Sequence, residues 1–107
     1  MDERQKRRAR NESLFRDVNE RIERLAAGWG VGDCEFVCEC DDLGCAEQFG
    51  MTTGEYEQLR ADPTTFAVVA GHEDPGVEDV IAERDGFNIV RKHAGEPARV
   101  AADDAPR

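Results

Sequence analysis

Apolar residues recur at a helical period near the start of this chain. Leu14, Val18, Ile22, Leu25 and Trp29 are spaced four, four, three and four apart, forming one stripe on a helix over residues 12–27. Asn11 and Glu12 supply a capping residue and a first-turn acid. Gly28, Gly30 and Gly32 end the helix. The stripe is read as the core-facing side, with a partner-binding seam as the alternative; it is too short for a convincing coiled coil. The charged residues 1–10 form a basic N-terminal arm or extend the helix backwards.

Beyond the glycines the period changes. Residues 35–40 alternate as a strand, with Phe36, Cys38 and Cys40 on one face and Val37 and Glu39 on the other. Asp41-Asp42-Leu43-Gly44 is a turn signal, and residues 47–51 read as a return strand with Phe49 and Met51 on one side. Thr52 and Glu55 have capping-box spacing for a helix ending near Ala61. Residues 66–70 read as a buried strand. Asp74 and Pro75 predict a second short helix, with Val77, Val80 and Ile81 on its apolar face and an end near Arg84. Asp85-Gly86 turns into a last strand, 87–92. Residues 94–107 are rich in Gly, Pro, Ala and charge and read as a disordered tail.

This order predicts an α+β fold: an N-terminal helix, a metal-closed β-hairpin, then helix, strand, helix and strand forming a small sheet covered by helices. The folded domain spans 11–93. Strands 66–70 and 87–92 pair either in parallel through a crossover or antiparallel with a strand between them.

The composition fits one small domain with a thin core: 107 residues, 39% hydrophobic and 36% charged. No secretory signal or membrane-length apolar run is visible, so the expected location is the cytoplasm. Net charge is −10, but residues 1–10 carry +3 and the remainder −13. An acidic body argues against nucleic-acid binding except through residues 1–10.

The cysteines change the picture most. Cys38, Cys40 and Cys45 form a C-x-C-x4-C cluster, and His72 follows in a Gly-His loop. A strand-borne C-x-C puts two thiols on one face, with Cα atoms about 6.5–7 Å apart. The following turn returns Cys45 to the same place. Zinc takes four such ligands in a tetrahedron. In a reducing compartment clustered thiols point to metal before disulfides. His72 is the favoured fourth ligand, with Glu73 or Asp74 as the acceptor for its second nitrogen; Cys34, His93 or an open water position compete. The bland alternative is three small buried thiols. An iron–sulfur cluster would need a different spacing.

No catalytic motif accompanies the cluster. The zinc-deaminase pattern, the phosphate-binding loop and the nucleophile elbow are absent. Gly28, Gly30 and Gly32 follow a helix, whereas a dinucleotide fingerprint follows a strand. A non-enzymatic role is therefore favoured.

Several segments carry a resemblance. These are residues 11–22, Phe36-Val37-Cys38-Glu39-Cys40 with Cys45, Thr53-x2-Tyr56, Pro63-x2-Phe66 and Gly71-His72-Glu73. Over about residues 11–93 the chain resembles a family of small, uncharacterised actinobacterial-type proteins with an F-x-C-E-C-x4-C cluster and a downstream Gly-His. The resemblance implies a bacterial source and favours His72 as fourth ligand, with Cys34 free. It implies no activity or substrate.

The resulting expectation is a structural Cys38/Cys40/Cys45/His72 zinc site in a protein-interaction or regulatory module with an unidentified protein partner. The alternatives are a zinc–thiol redox switch and a nucleic-acid-associated regulator using the basic arm.

Overall fold

The first helix starts well before its apolar stripe. In the computed structural model, which describes residues 2–104, α1 runs from Glu3 to Gly28. Asp2 caps it: its carboxylate accepts from the Gln5 backbone N–H at 2.8 Å, and the Gln5 side chain accepts from the Asp2 N–H at 3.1 Å. The basic residues from Arg4 to Arg10 are thus turns of α1. Twenty-six residues at 1.5 Å rise span about 39 Å, close to the 42 Å long axis of the molecule. No helix among the described residues is long and apolar enough to cross a membrane.

The side that α1 buries is the polar one. Glu12, Arg16, Asn19, Glu20, Glu23 and Ala26 face inward. Leu14, Val18, Leu25 and Trp29 remain 51%, 37%, 56% and 77% exposed, and only Ile22 is half-buried against the core. The core-facing reading of the stripe is therefore overturned. At 100° per residue the two faces are centred roughly 130° apart.

Two antiparallel sheets pack beneath α1. β1 (Asp33–Val37) and β2 (Gln48–Thr52) form a hairpin with Phe36 opposite Phe49 and Cys34 opposite Met51. The Thr52–Glu55 capping box starts α2, Thr53–Arg60, as the spacing predicts. β3 (Thr65–Val68), β4 (Glu78–Arg84) and β5 (Phe87–Lys92) form a sheet of order β3-β5-β4, antiparallel throughout. The α+β architecture is as expected.

Two elements differ from expectation. The segment read as a helix ending near Arg84 is strand β4. Asp74 does start a single turn, accepting from Val77 and Glu78 backbone N–H groups at 3.1 Å. The chain then extends, because Asp85-Gly86 is a two-residue hairpin loop joining Arg84 to Phe87, with Gly86 at φ 87°. β-Branched Val80 and Ile81 suit the strand, and a register shift between Val80 and Ala82 disturbs the period of two. The second difference is in the segment read as a disordered tail, where residues 96–103 form α3, Glu96–Asp103. Pro97 fits its first turn, and buried Ala101 docks it on Phe66, Val68 and Val90. Residues 105–107 of that segment lie outside the described residues.

The core has two apolar clusters. Phe36, Phe49, Met51, Tyr56, Leu59, Ala67 and Phe87 form one, with Phe36 and Tyr56 stacked at 4.5 Å and Phe49 and Phe87 at 4.8 Å. The other comprises Cys38, Cys40, Phe66, Val68, Val90 and Ala101. Against them lies the polar seam of α1. The Arg16 guanidinium, fully buried, donates to the Pro63 and Ala101 carbonyls at 2.9 Å each. The Lys92 ammonium bonds Glu12 (2.6 and 2.8 Å) and Glu78 (2.7 Å). Arg16, Arg60 and Lys92 all sit within 4.8–5.4 Å of the Phe66 ring centre.

Candidate metal centre

The hairpin connection and the loop after β3 bring four ligand residues together. β1 ends at Val37, before the cysteines. The Cys38 N–H still bonds the Glu47 carbonyl at 3.0 Å, but the Glu39 N–H crosses to the Ala67 carbonyl of β3 at 2.9 Å. The Cys-Glu-Cys segment is thus a bridge between the two sheets. A tight turn follows: the Asp42 carboxylate accepts from Gly44 N–H at 2.8 Å, the Asp42 carbonyl accepts from Cys45 N–H at 3.0 Å, and Cys45 comes back to the pair.

His72 arrives from the other sheet. Its N–H bonds the Val69 carbonyl at 2.9 Å, closing a β-turn in which Gly71 has φ 95°. A positive φ at the third turn position favours glycine, so Gly71 is a conformational requirement for presenting the imidazole. His72 Nδ1 lies 3.6 Å from Cys38 Sγ and 3.6 Å from Cys45 Sγ. The ligand atoms of Cys38, Cys40, Cys45 and His72 all lie within 4.8 Å of one another, and this group can hold a metal ion. Cys38 and Cys40 are buried; Cys45 and His72 are half-buried.

The surroundings shift the four groups in different directions. Val69 N–H donates to Cys38 Sγ at 3.2 Å. The Cys40 thiol bonded to it, then the Val69 amide, hold the Cys38 thiol below its ordinary pKa against the effect of burial. Cys40 is pushed up, first by sharing that proton with Cys38 and then by burial. Burial likewise raises Cys45. The contact with Cys40 raises His72, burial opposes it, and Glu47 adds to the rise. A cation would replace the shared protons and release all three thiols as ligands.

The acceptor for the second His72 nitrogen is Glu47, whose Oε2 lies 2.7 Å from Nε2. This corrects the expectation of Glu73 or Asp74. Glu73 accepts from Gly71 N–H at 3.0 Å, and Asp74 faces Arg8 at 3.6 Å. A carboxylate on Nε2 fixes the tautomer that leaves Nδ1 free to ligate. The competing ligands lie elsewhere. Cys34 packs against the aromatic cluster, and His93 Nε2 faces Asp79 at 3.2 Å.

The sequence reading missed the residues that hold the ligands in place. Glu39, between the two cysteines, is wholly buried. Its carboxylate accepts from Tyr56 OH (2.7 Å), Asn19 Nδ2 (2.9 Å) and Ala67 N–H (3.0 Å), and pairs with Arg60 at 3.4 Å. Asn19 also bonds both backbone groups of Val37 at 2.8 Å, acting as a one-residue strand partner. Asn11 donates to the Asp41 carbonyl at 2.9 Å, and Arg8 pairs with the Asp41 carboxylate at 2.7 Å. Arg8, Asn11 and Asn19 lie on α1, so the helix clamps the ligand loop. Their signal in the sequence is only a set of polar residues off the apolar stripe.

Comparison with protein-family models, with curated proteins and with solved structures returned no match. The class assignment therefore rests on the site itself: a small α+β protein with a Cys3His group that can hold a metal ion.

Proposed function

We propose that this is a cytoplasmic zinc-binding protein in which the metal is a structural staple, and that it acts without catalysis as an interaction module presenting the exposed face of α1. The convergence of the four ligand atoms carries the zinc reading. With metal–sulfur at about 2.3 Å and metal–nitrogen at about 2.0–2.1 Å, a tetrahedral site separates sulfur from nitrogen by about 3.5 Å. His72 Nδ1 lies 3.6 Å from the Cys38 and Cys45 sulfurs. Three thiolates with one imidazole suit zinc among the first-row ions. Four protein ligands fill the tetrahedron and leave no open position for a reactive water. The ligands come from the β1–β2 connection and the loop after β3, so the ion would lock one sheet to the other.

Protein purified under reducing conditions should contain about one zinc per chain. Chelation should lower its stability by more than about 4 kcal/mol, measured by urea unfolding. Cys40→Ser and His72→Ala should each release the metal at lower chelator concentration. A metal-free chain that is folded under those conditions would refute the staple.

A redox role is the second reading, supported by the partial exposure of Cys45 and His72. Peroxide would oxidise two ligand thiolates to a disulfide, itself reduced to water, and zinc would leave. Cys34, the candidate resolving or attacking thiol, is half-buried against the aromatic cluster.

A further inference from the structure

The exposed stripe of α1 is symmetrical about its own midpoint. Leu14 and Trp29 lie at its ends, Val18 and Leu25 lie inside them, and Arg21 and Ile22 lie at the centre. Each pair has the same mean position, midway between 21 and 22. Two such helices laid antiparallel would set Leu14 on Trp29, Val18 on Leu25 and Ile22 beside Arg21, each contact occurring twice. This is the requirement of a two-fold, isologous interface. We propose that α1 is a homodimerisation surface and that the partner it fits is a second copy of this chain, antiparallel, with its dyad near residues 21 and 22. The proposal rests on the interaction reading of α1 given above and does not depend on the metal.

Area and charge support the same occupant. Leu14, Val18, Leu25, Trp29 and Val31 are 37–77% exposed, which leaves roughly 500 Å² of apolar surface per chain, within the roughly 300–600 Å² of the largest, often functional, patch on a monomer. Two copies would bury about twice that, which reaches the roughly 1,000 Å² that a specific interface should clear. One flank of the stripe carries Asp17, Arg21 and Arg24. In the antiparallel arrangement Asp17 approaches Arg24 of the other copy, twice. A parallel two-fold pair would put these flanks on opposite sides of the contact, so Asp17 and Arg24 would not meet; in the antiparallel pair the two Arg21 side chains meet near the dyad, which offsets part of the gain. The buried face of α1 is already occupied by the body of the protein, which leaves the side carrying the stripe open to a partner.

Trp29 is the one tryptophan in the chain and reports on the contact directly. Zinc-loaded protein should sediment as a dimer with micromolar affinity, and its tryptophan emission should shift to shorter wavelength as concentration rises. Val18→Glu and Leu25→Lys should each be folded monomers, associating at least about tenfold more weakly, equivalent to about 1.4 kcal/mol. Because Val18 opposes Leu25, mixing these two variants should restore a dimer through a Glu–Lys contact. A wild-type chain that stays monomeric at roughly 100 µM would overturn the proposal, since the expected affinity is micromolar. So would dimers that survive both substitutions, or variants that fail to pair when mixed. Metal content, read separately, tells failure of the zinc reading from failure of the dimer.

Discussion

The two faces of α1 reverse the usual relation between hydropathy and burial. The outward face carries Leu14, Val18, Leu25 and Trp29; the inward face carries Glu12, Arg16, Asn19, Glu20 and Glu23. Buried ionisable groups are costly unless paired; here Lys92 pairs with Glu12 and Glu78, Arg60 pairs with Glu39, and Arg16 donates to two carbonyls. Three buried cations, Arg16, Arg60 and Lys92, are set among five buried carboxylates, Glu12, Glu20, Glu23, Glu39 and Glu78. A greasy inward face would have packed α1 against the sheets in many registers. Directional partners such as Asn19 on Val37 admit one register, and that register places Arg8 and Asn11 on the ligand loop. The contrast teaches that the inward face specifies position, while the outward face remains free for association.

Removing Glu39 breaks the inward face at its centre. Glu39→Ala leaves Arg60, Asn19, the Tyr56 hydroxyl and the Ala67 amide without their shared acceptor. Breaking a buried pair by deleting one partner costs about 3–5 kcal/mol. Urea unfolding of the zinc-loaded protein should show that loss. Because Glu39 separates Cys38 from Cys40, zinc affinity should fall as well, by about 10–100-fold in a competition with a chelator, as when outer partners of ligands are removed. A loss under 1 kcal/mol would mean the network does not fix the bridge.

The three cysteines of the group were legible because the spacing of Cys38, Cys40 and Cys45 is local: a turn of fixed length is enough to bring them together. His72 was legible for a different reason, its place in a glycine turn ending a strand. The orienting Glu47 was hidden, since Glu73 and Asp74 are nearer to His72 in sequence and only the hairpin register brings Glu47 to Nε2. Periodicity located α1 but assigned the wrong face, because an apolar stripe has the same signature whether it faces a core or a partner. The helix expected up to Arg84 failed where the Asp85-Gly86 hairpin signal competed with a short apolar pattern that fits either period. For α3, a Gly- and Pro-containing composition concealed the docking of Ala101.

A smaller effect probes the edge of the inward face. Lys92 serves two carboxylates, so the Glu12–Lys92–Glu78 group has an excess negative charge when both are ionised. Burial raises the Glu12 pKa from 4.5 to about 7, with Lys92 opposing and Glu78 and Asp41 adding to the rise. For Lys92, burial lowers the pKa but Glu12 and Glu78 outweigh it and raise it from 10.5, so its titration lies outside this window. A carboxyl raised in the folded state binds its proton more tightly there than in the unfolded chain. Its contribution is therefore fully present below pH 4.5 and is lost as pH rises to about 7. Glu12→Gln should match wild type near pH 4.5 and become relatively more stable as pH rises, by up to about 1.4 kcal/mol per pH unit. A relative loss of stability with rising pH would show instead that the Glu12–Lys92 attraction dominates.

The outward face should respond least. Leu25→Lys replaces an exposed side chain in a helix whose last turn has no basic residue. Lysine is nearly as good a helix former as leucine, and a cation near the C-terminus interacts favourably with the helix dipole by about 0.3–1 kcal/mol. Unfolding of the monomer, measured at dilution, should therefore change by no more than about 0.5 kcal/mol, or rise slightly. A buried leucine at that position would instead cost several times as much, since a lysine ammonium cannot be left unpaired in a core. A loss of about 2 kcal/mol or more in the dilute monomer would place the stripe inside the fold and erase the distinction between the two faces.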